Sequence, residues 1–177
     1  SNTNLYDLGE AIKYAGTTTT NLGATLEQTA AAIGVLGDAG IQGSMAGTAL
    51  ANAYRYLSKS IGDPNFKGGK ALAKLGLSKS DFIDANGQLI DLGLALQKIA
   101  NASRGLGELD QYNLLVNILG VRGERAGSTM IRAFQNYTNL LDELNNNSQG
   151  AAASVREQRM ASLAGAIEAV QSTWENL

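Results

Sequence analysis

The chain has no cysteine, no histidine and a single proline in 177 residues. Without cysteine there is neither a disulfide framework nor a thiolate metal site, and without histidine the ordinary zinc, copper and haem sites lose their usual donors. Nucleophilic catalysis by a Ser-His or Cys-His pair is excluded on the same ground. Ser-Lys and two-carboxylate mechanisms survive on composition, but no spacing points to either. Excess charge of one sign is also missing. Fourteen basic residues stand against sixteen acidic ones, a net charge of -2, so no sequence-wide positive field draws the chain to nucleic acid or anionic lipid. Long apolar runs are absent too: the charge-free stretch Ala39 to Tyr54 is shorter than a bilayer span and full of Gly, Ser, Thr and Asn. No charged region followed by an apolar core marks a secretory leader at the start.

What is present is helical periodicity. Leu5, Leu8, Ile12 and Ala15 recur at three and four residues, up to the threonine run Thr17 to Thr20, which is expected to break that helix. Thr25 and Gln28 form a capping box ahead of a face made by Leu26, Ala30, Ile33 and Leu36. Gly40 stands where a helix closes in the left-handed region, and Ser44 where the next helix needs an N-terminal acceptor. That next helix presents Leu50, Tyr54, Leu57 and Ile61, until Gly62, Asp63 and Pro64 stop it. A short helix over Phe66 to Lys74 ends at Gly76, and Ser78 with Asp81 starts a single turn. Asn86-Gly87, within Asp84 to Gln88, signals a two-residue reverse turn in a tiny hairpin.

The helical period returns with Leu92, Leu96 and Ile99, again with Leu109, Tyr112, Leu115 and Leu119, and after Gly120 to Gly127 with Met130, Phe134, Tyr137, Leu141 and Leu144. Leu144 to Ser154 reads as a linker. Beyond it Met160, Leu163, Ile167, Val170, Trp174 and Leu177 follow heptad spacing. The expected fold is all-α: a compact multi-helix bundle of helical hairpins over 1–148, then a linker and the start of a long amphipathic helix over 149–177. That last helix is either the start of a coiled coil or a single helix packing back on the domain. Six glycines, Gly9, Gly34, Gly37, Gly47, Gly93 and Gly165, fall inside helical patterns, where each costs roughly 0.5 to 1 kcal/mol relative to alanine. They suggest a fold that yields easily, with close helix contacts as the opposing reading.

Several phrases together resemble a known family. Asp38 to Leu50, DAGIQGSMAGTAL, is similar to the core region of phage tail tape measure proteins. The likeness extends to YAGTTTTNLG (Tyr14 to Gly23), LGLSKSDFIDANGQLIDL (Leu75 to Leu92) and ILGVRG (Ile118 to Gly123), in the right order. The resemblance implies an elongated, mostly helical virion protein. Such a protein lies in the lumen of the growing tail tube, templates its length and leaves with the genome, after assembly in the host cytoplasm with tail tube protein and tail assembly chaperones. Because some tape measure proteins carry muralytic domains, an envelope-degrading enzyme is the alternative.

No cofactor, metal or nucleic-acid site is expected. Lys67-Gly68-Gly69-Lys70 has phosphate-binding residue types but lacks P-loop spacing, and is expected to be a solvated loop before a helix. A calcium loop aligned on Gly87 fails at its first and last positions, Phe82 and Gly93. Candidate interaction residues are of three kinds. Gly43, Gly47 and Ala51 form a small-xxx-small series, for tight packing within the chain or for self-association. Arg122 and Arg125 flank Glu124; surface ion pairs are the simplest reading, and the family resemblance makes them the first candidates for contact with another virion protein. The apolar stripe Met160, Leu163, Ile167, Val170 and Trp174 is a candidate for self-association.

Overall fold

In the computed structural model the described residues are 4–147 together with Ile167, Val170 and Gln171. They form seven α-helices and one 3₁₀ turn: α1 Leu5–Asn21, α2 Leu26–Asp38, α3 Gly43–Gly62, α4 Lys67–Lys74, the turn Lys79–Asp81, α5 Leu92–Ser103, α6 Glu108–Arg132 and α7 Phe134–Asn147. The expected all-α bundle is what the chain builds.

Asn4 caps α1 by accepting the Asp7 N–H at 2.8 Å. The threonine run does not break this helix. Four β-branched residues cost only a few tenths of a kcal/mol each, and Thr19 is fully buried with its hydroxyl donating to the Gly16 carbonyl at 3.1 Å. Closure comes later, where the Ala24 N–H returns to the Thr19 carbonyl at 2.9 Å. Thr25 and Gln28 then make the expected capping box, at 3.1 and 2.9 Å.

α2 is the centre of the molecule, touching α1, α3, α6 and α7. One apolar face was expected of it, yet every residue from Thr29 to Gly37 is buried, Ala31, Ala32 and Val35 included. Such a helix must be apolar all round. Thr29 is the exception: its hydroxyl is buried with no hydrogen-bond partner among the described residues. An unpaired buried hydroxyl costs about 1 kcal/mol or more, so Thr29→Val should raise stability by about that amount. Chemical denaturation of the two proteins checks this, and a fall in midpoint at unchanged slope would contradict it.

α3 packs most extensively on α6 and α1. Its stripe Leu50, Tyr54 and Leu57 is buried as expected. Lys67 to Lys70 is not a loop but the first turn of α4, because Gly68 and Gly69 lie against α3: a Cβ at Gly68 would fall 1.9 Å from Ser60 Oγ, and one at Gly69 2.1 Å from the Asp63 carbonyl. The 3₁₀ turn is capped by Asp81, whose carboxylate accepts the Ser78 N–H at 2.8 Å. That bond, with the one from the Ser78 hydroxyl, holds the Asp81 carboxyl below the usual carboxylate range.

The hairpin exists as one antiparallel bridge, Ile83 to Leu89. Its loop is longer than expected. The Asp84 N–H reaches the Gln88 carbonyl at 2.8 Å, leaving Ala85, Asn86 and Gly87 between them, and Asp84 Oδ1 accepts from both Asn86 and Gln88.

The Gly120–Gly127 segment is helical, with one non-helical residue, Gly120, merged into α6. Ahead of it Leu109 and Tyr112 are exposed rather than buried, as are most residues from Glu108 to Asn113 in the first turns of α6. The Met130–Leu144 stripe does face the core, but across two helices, since the chain steps out of helical geometry at Ala133. The first residues of the expected linker, Leu144 to Asn147, belong to α7, with Leu144 buried, and the rest of it, 148–154, lies outside the described residues.

Candidate functional site: a groove where two sequence phrases meet

The phrase from Asp38 to Leu50 turns a corner. α2 closes with the Ile41 N–H on the Leu36 carbonyl at 2.8 Å and Gly40 at φ 80°, as its position in the sequence indicated. Ser44 is not the cap of α3. Gln42 holds that place with no side-chain cap bond, and the helix starts at Gly43. The carboxylate of Asp7 lies beside Gly43 instead, setting a negative charge near the free amides of the helix start.

The phrase Ile118 to Gly123 makes the opposite wall. Ile118 and Leu119 are fully buried. Gly120 at φ 73°, ψ 162° interrupts the helical ladder, and the freed Ile118 carbonyl accepts the buried Ser60 hydroxyl at 2.9 Å. Directly after this kink Gly123 crosses α3 at close range: a Cβ there would lie 2.7 Å from the Ala53 nitrogen. The kink and the close crossing together hold Val121, Arg122 and Arg125 on the outer side of α6.

Between the two walls runs an open groove of about 400 Å³, lined by Ile41, Met45, Thr48, Val121, Arg122 and Arg125 among others. The expected ion pairs with Glu124 are not made. Glu124 Oε1 accepts from Ser128 Oγ, and both guanidinium groups stand exposed without a partner among the described residues. The groove thus joins an apolar floor to two free positive charges, an arrangement suited to holding an acidic, partly apolar segment.

Other candidate residues lie elsewhere. Gly43, Gly47 and Ala51 are buried, and Gly47 meets the Ala11 carbonyl of α1. Val170 is buried against Gly9 of α1, and Ile167 is half-buried on the same core. Met160, Leu163 and Trp174 lie outside the described residues. Sequence reasoning missed Met45 and Val121, although each is a large apolar residue set among small or charged ones. It also missed a polar tie between helices, in which the Tyr137 hydroxyl donates to Asp91 Oδ2 while Asp91 Oδ1 caps α5 at the Leu94 N–H, 3.1 Å away. Burial, reinforced by the Asp91 charge, pushes the Tyr137 and Tyr54 hydroxyls far above the usual phenol range.

Among the described residues no helix is long and apolar enough to cross a membrane. No solved structure matches the chain. The family model described as "Phage-related minor tail protein" matches residues 1–120. The chain is 33% identical over 180 residues to the "Tape measure protein" of Pneumococcus phage Dp-1, an alignment covering 100% of this chain and 15% of that protein. It is 30% identical over 171 residues to the "Probable tape measure protein" of Escherichia phage P2, covering 95% of this chain and 20% of that one. The chain therefore spans about a fifth or less of the length of these relatives. Matched over most or all of its residues, it belongs to the phage tail tape measure family and is a component of the virion tail.

Proposed function

We propose that residues 1–148 are a folded, non-catalytic module of a tape measure protein that takes part in tail tube assembly, length determination and genome delivery, with 149–177 leading into a long helix. The observation that carries this reading is the use made of two of the family phrases: Asp38 to Leu50 builds one wall of a groove and Ile118 to Gly123 the other, and their glycines pack helices together. Carboxylates elsewhere have structural work, Asp91, Asp81 and Asp84 accepting backbone N–H groups at turns and helix starts. The whole protein would act by length, since an α-helix advances about 1.5 Å per residue. This module would be a folded station on that ruler within the tail lumen. Tail tube protein and the tail assembly chaperones are the proposed partners, and no nucleic-acid contact is assigned to it.

Electron microscopy of particles carrying in-frame deletions or duplications outside this module, in the full-length protein, tests the ruler. Tail length should change by about 1.5 Å for each residue removed or added. Tails of unchanged length would overturn it, and a clearing zone from this chain on a cell-wall zymogram would overturn the non-catalytic assignment.

A further inference from the structure

We propose that the α3–α6 groove receives the exposed start of α6 from a second copy of this chain. The two surfaces are complementary in charge, each carries exposed apolar side chains, and neither is covered by another of the described residues. On the groove side, Met45 and Val121 are 52% and 70% exposed, and Arg122 and Arg125 have no carboxylate partner among the described residues. On the other side, Glu108 to Asp110 form a helical tip that is exposed all round. Leu109 and Tyr112 stand 71% and 49% exposed on it, and the carboxylates of Glu108 and Asp110 flank Leu109.

The tip is held in place. Gln111 Nε2 donates to the Leu106 carbonyl at 2.9 Å and to the Ser103 carbonyl at 3.2 Å, fastening the α5–α6 connection. A fixed tip loses little freedom on docking. Arg104 lies at the base of the connection, so the tip's two carboxylates exceed its positive charge by one.

A second basic groove, beside Ile90, Leu94, Lys98 and Arg104, fits the tip less well. Its Lys98 already donates to the Asp81 carbonyl at 2.7 Å, and its Arg104 adjoins the tip itself. Two different surfaces meeting make a head-to-tail contact, which closes into a ring or continues as an array. A helical turn and a half set in a shallow groove buries little surface, so the expected dissociation constant is on the order of 10 to 1000 μM, at the weak end for protein contacts. The proposal requires nothing of the tail role above, and its failure leaves that role standing.

Sedimentation velocity of the 177-residue chain tests it. The weight-average sedimentation coefficient should rise with concentration up to about 1 mM at low salt, and the rise should shrink in high salt. The paired reversals R122E with R125E, and E108R with D110R, change exposed residues only, and circular dichroism confirms that each variant folds. Each pair should weaken association at least about tenfold, because like charges then face each other. A 1:1 mixture of the two variants should restore it, since each tip then complements the other's groove. Concentration-independent sedimentation of the unaltered chain, association unaffected by either reversal, or a mixture that fails to recover would each overturn the proposal.

Discussion

Alanine at position 47 is expected to destabilise the domain by about 3 kcal/mol, at the upper end for a methyl group forced into a packed core. The reason is that nothing flexible can give way. A Cβ at Gly47 would lie 2.3 Å from the Ala11 carbonyl oxygen and 2.7 Å from the Tyr14 Cβ, so α1 as a whole must move off α3. Parting these helices also uncovers Leu8, Ile12 and Leu50, which are fully buried beside the contact. In a domain of this size the thermal midpoint should fall by about 6 to 12 °C. Gly62, at the exposed end of the same helix, is the control: a Cβ there meets nothing within 4 Å. Gly62→Ala should gain up to about 1 kcal/mol from better helix propensity. Thermal unfolding followed by circular dichroism compares the two. Equal gains at both positions would mean that helical glycine weakens this fold wherever it occurs, and would remove the contact explanation.

The same comparison bears on the expectation that glycine makes the fold yield easily. Gly93 is not on the surface. A Cβ there would come within 2.5 Å of the Tyr137 ring, and one at Gly34 within 2.7 Å of Leu140. Both glycines admit side chains of α7 to the core. The cost that each imposes on its helix is offset by close packing, which favours the contact reading; Gly165 lies outside the described residues.

Much of this was legible in the chain because it depends on near neighbours. The Thr25–Gln28 box, the close at Gly40, the stop at Gly62 and the stripes of α3 and α5 involve residues no more than a few turns apart. What stayed hidden depends on distant contacts. The apolar run of α2 does not reveal that four helices surround it. The exposure of Leu109 and Tyr112 follows from which turns of α6 the other helices cover, not from their spacing. The resemblance singled out Arg122 and Arg125, but the groove they line requires Met45, more than seventy residues earlier, to arrive opposite Val121. Glycine is ambiguous for the same reason: at Gly40 it ends a helix, at Gly47 it admits a neighbour's backbone, and at Gly120 it bends a helix that continues.

Gly120→Ala is expected to have the largest effect, a loss of about 3 to 5 kcal/mol. At φ 73° and ψ 162° the residue occupies a region that is essentially restricted to glycine, and holding alanine there costs about 1 to 3 kcal/mol. The added Cβ would also lie 2.9 Å from the Tyr56 ring, adding an overpacking cost of similar size. Tyr56 has limited room to retreat: its ring lies 6.1 Å from that of Phe66, which carries the Lys59 ammonium 4.5 Å above its face. The alternative is for residue 120 to become helical. That would turn the following half of α6 about its axis, withdraw Gly123 from Ala53 and part the Ile118 carbonyl from the Ser60 hydroxyl. A domain stable by about 5 to 15 kcal/mol would keep only a thin margin after such a loss. Because Ser60 serves the same kink, Ser60→Ala and Gly120→Ala should be less than additive, the second substitution removing a bond the first has already weakened. Gly105, with no atom near its would-be Cβ, should tolerate alanine within about 0.5 kcal/mol. Urea unfolding of the four variants decides the matter. A Gly120→Ala protein within 1 kcal/mol of the parent, or full additivity with Ser60→Ala, would show that the kink does not hold the second wall of the groove in place.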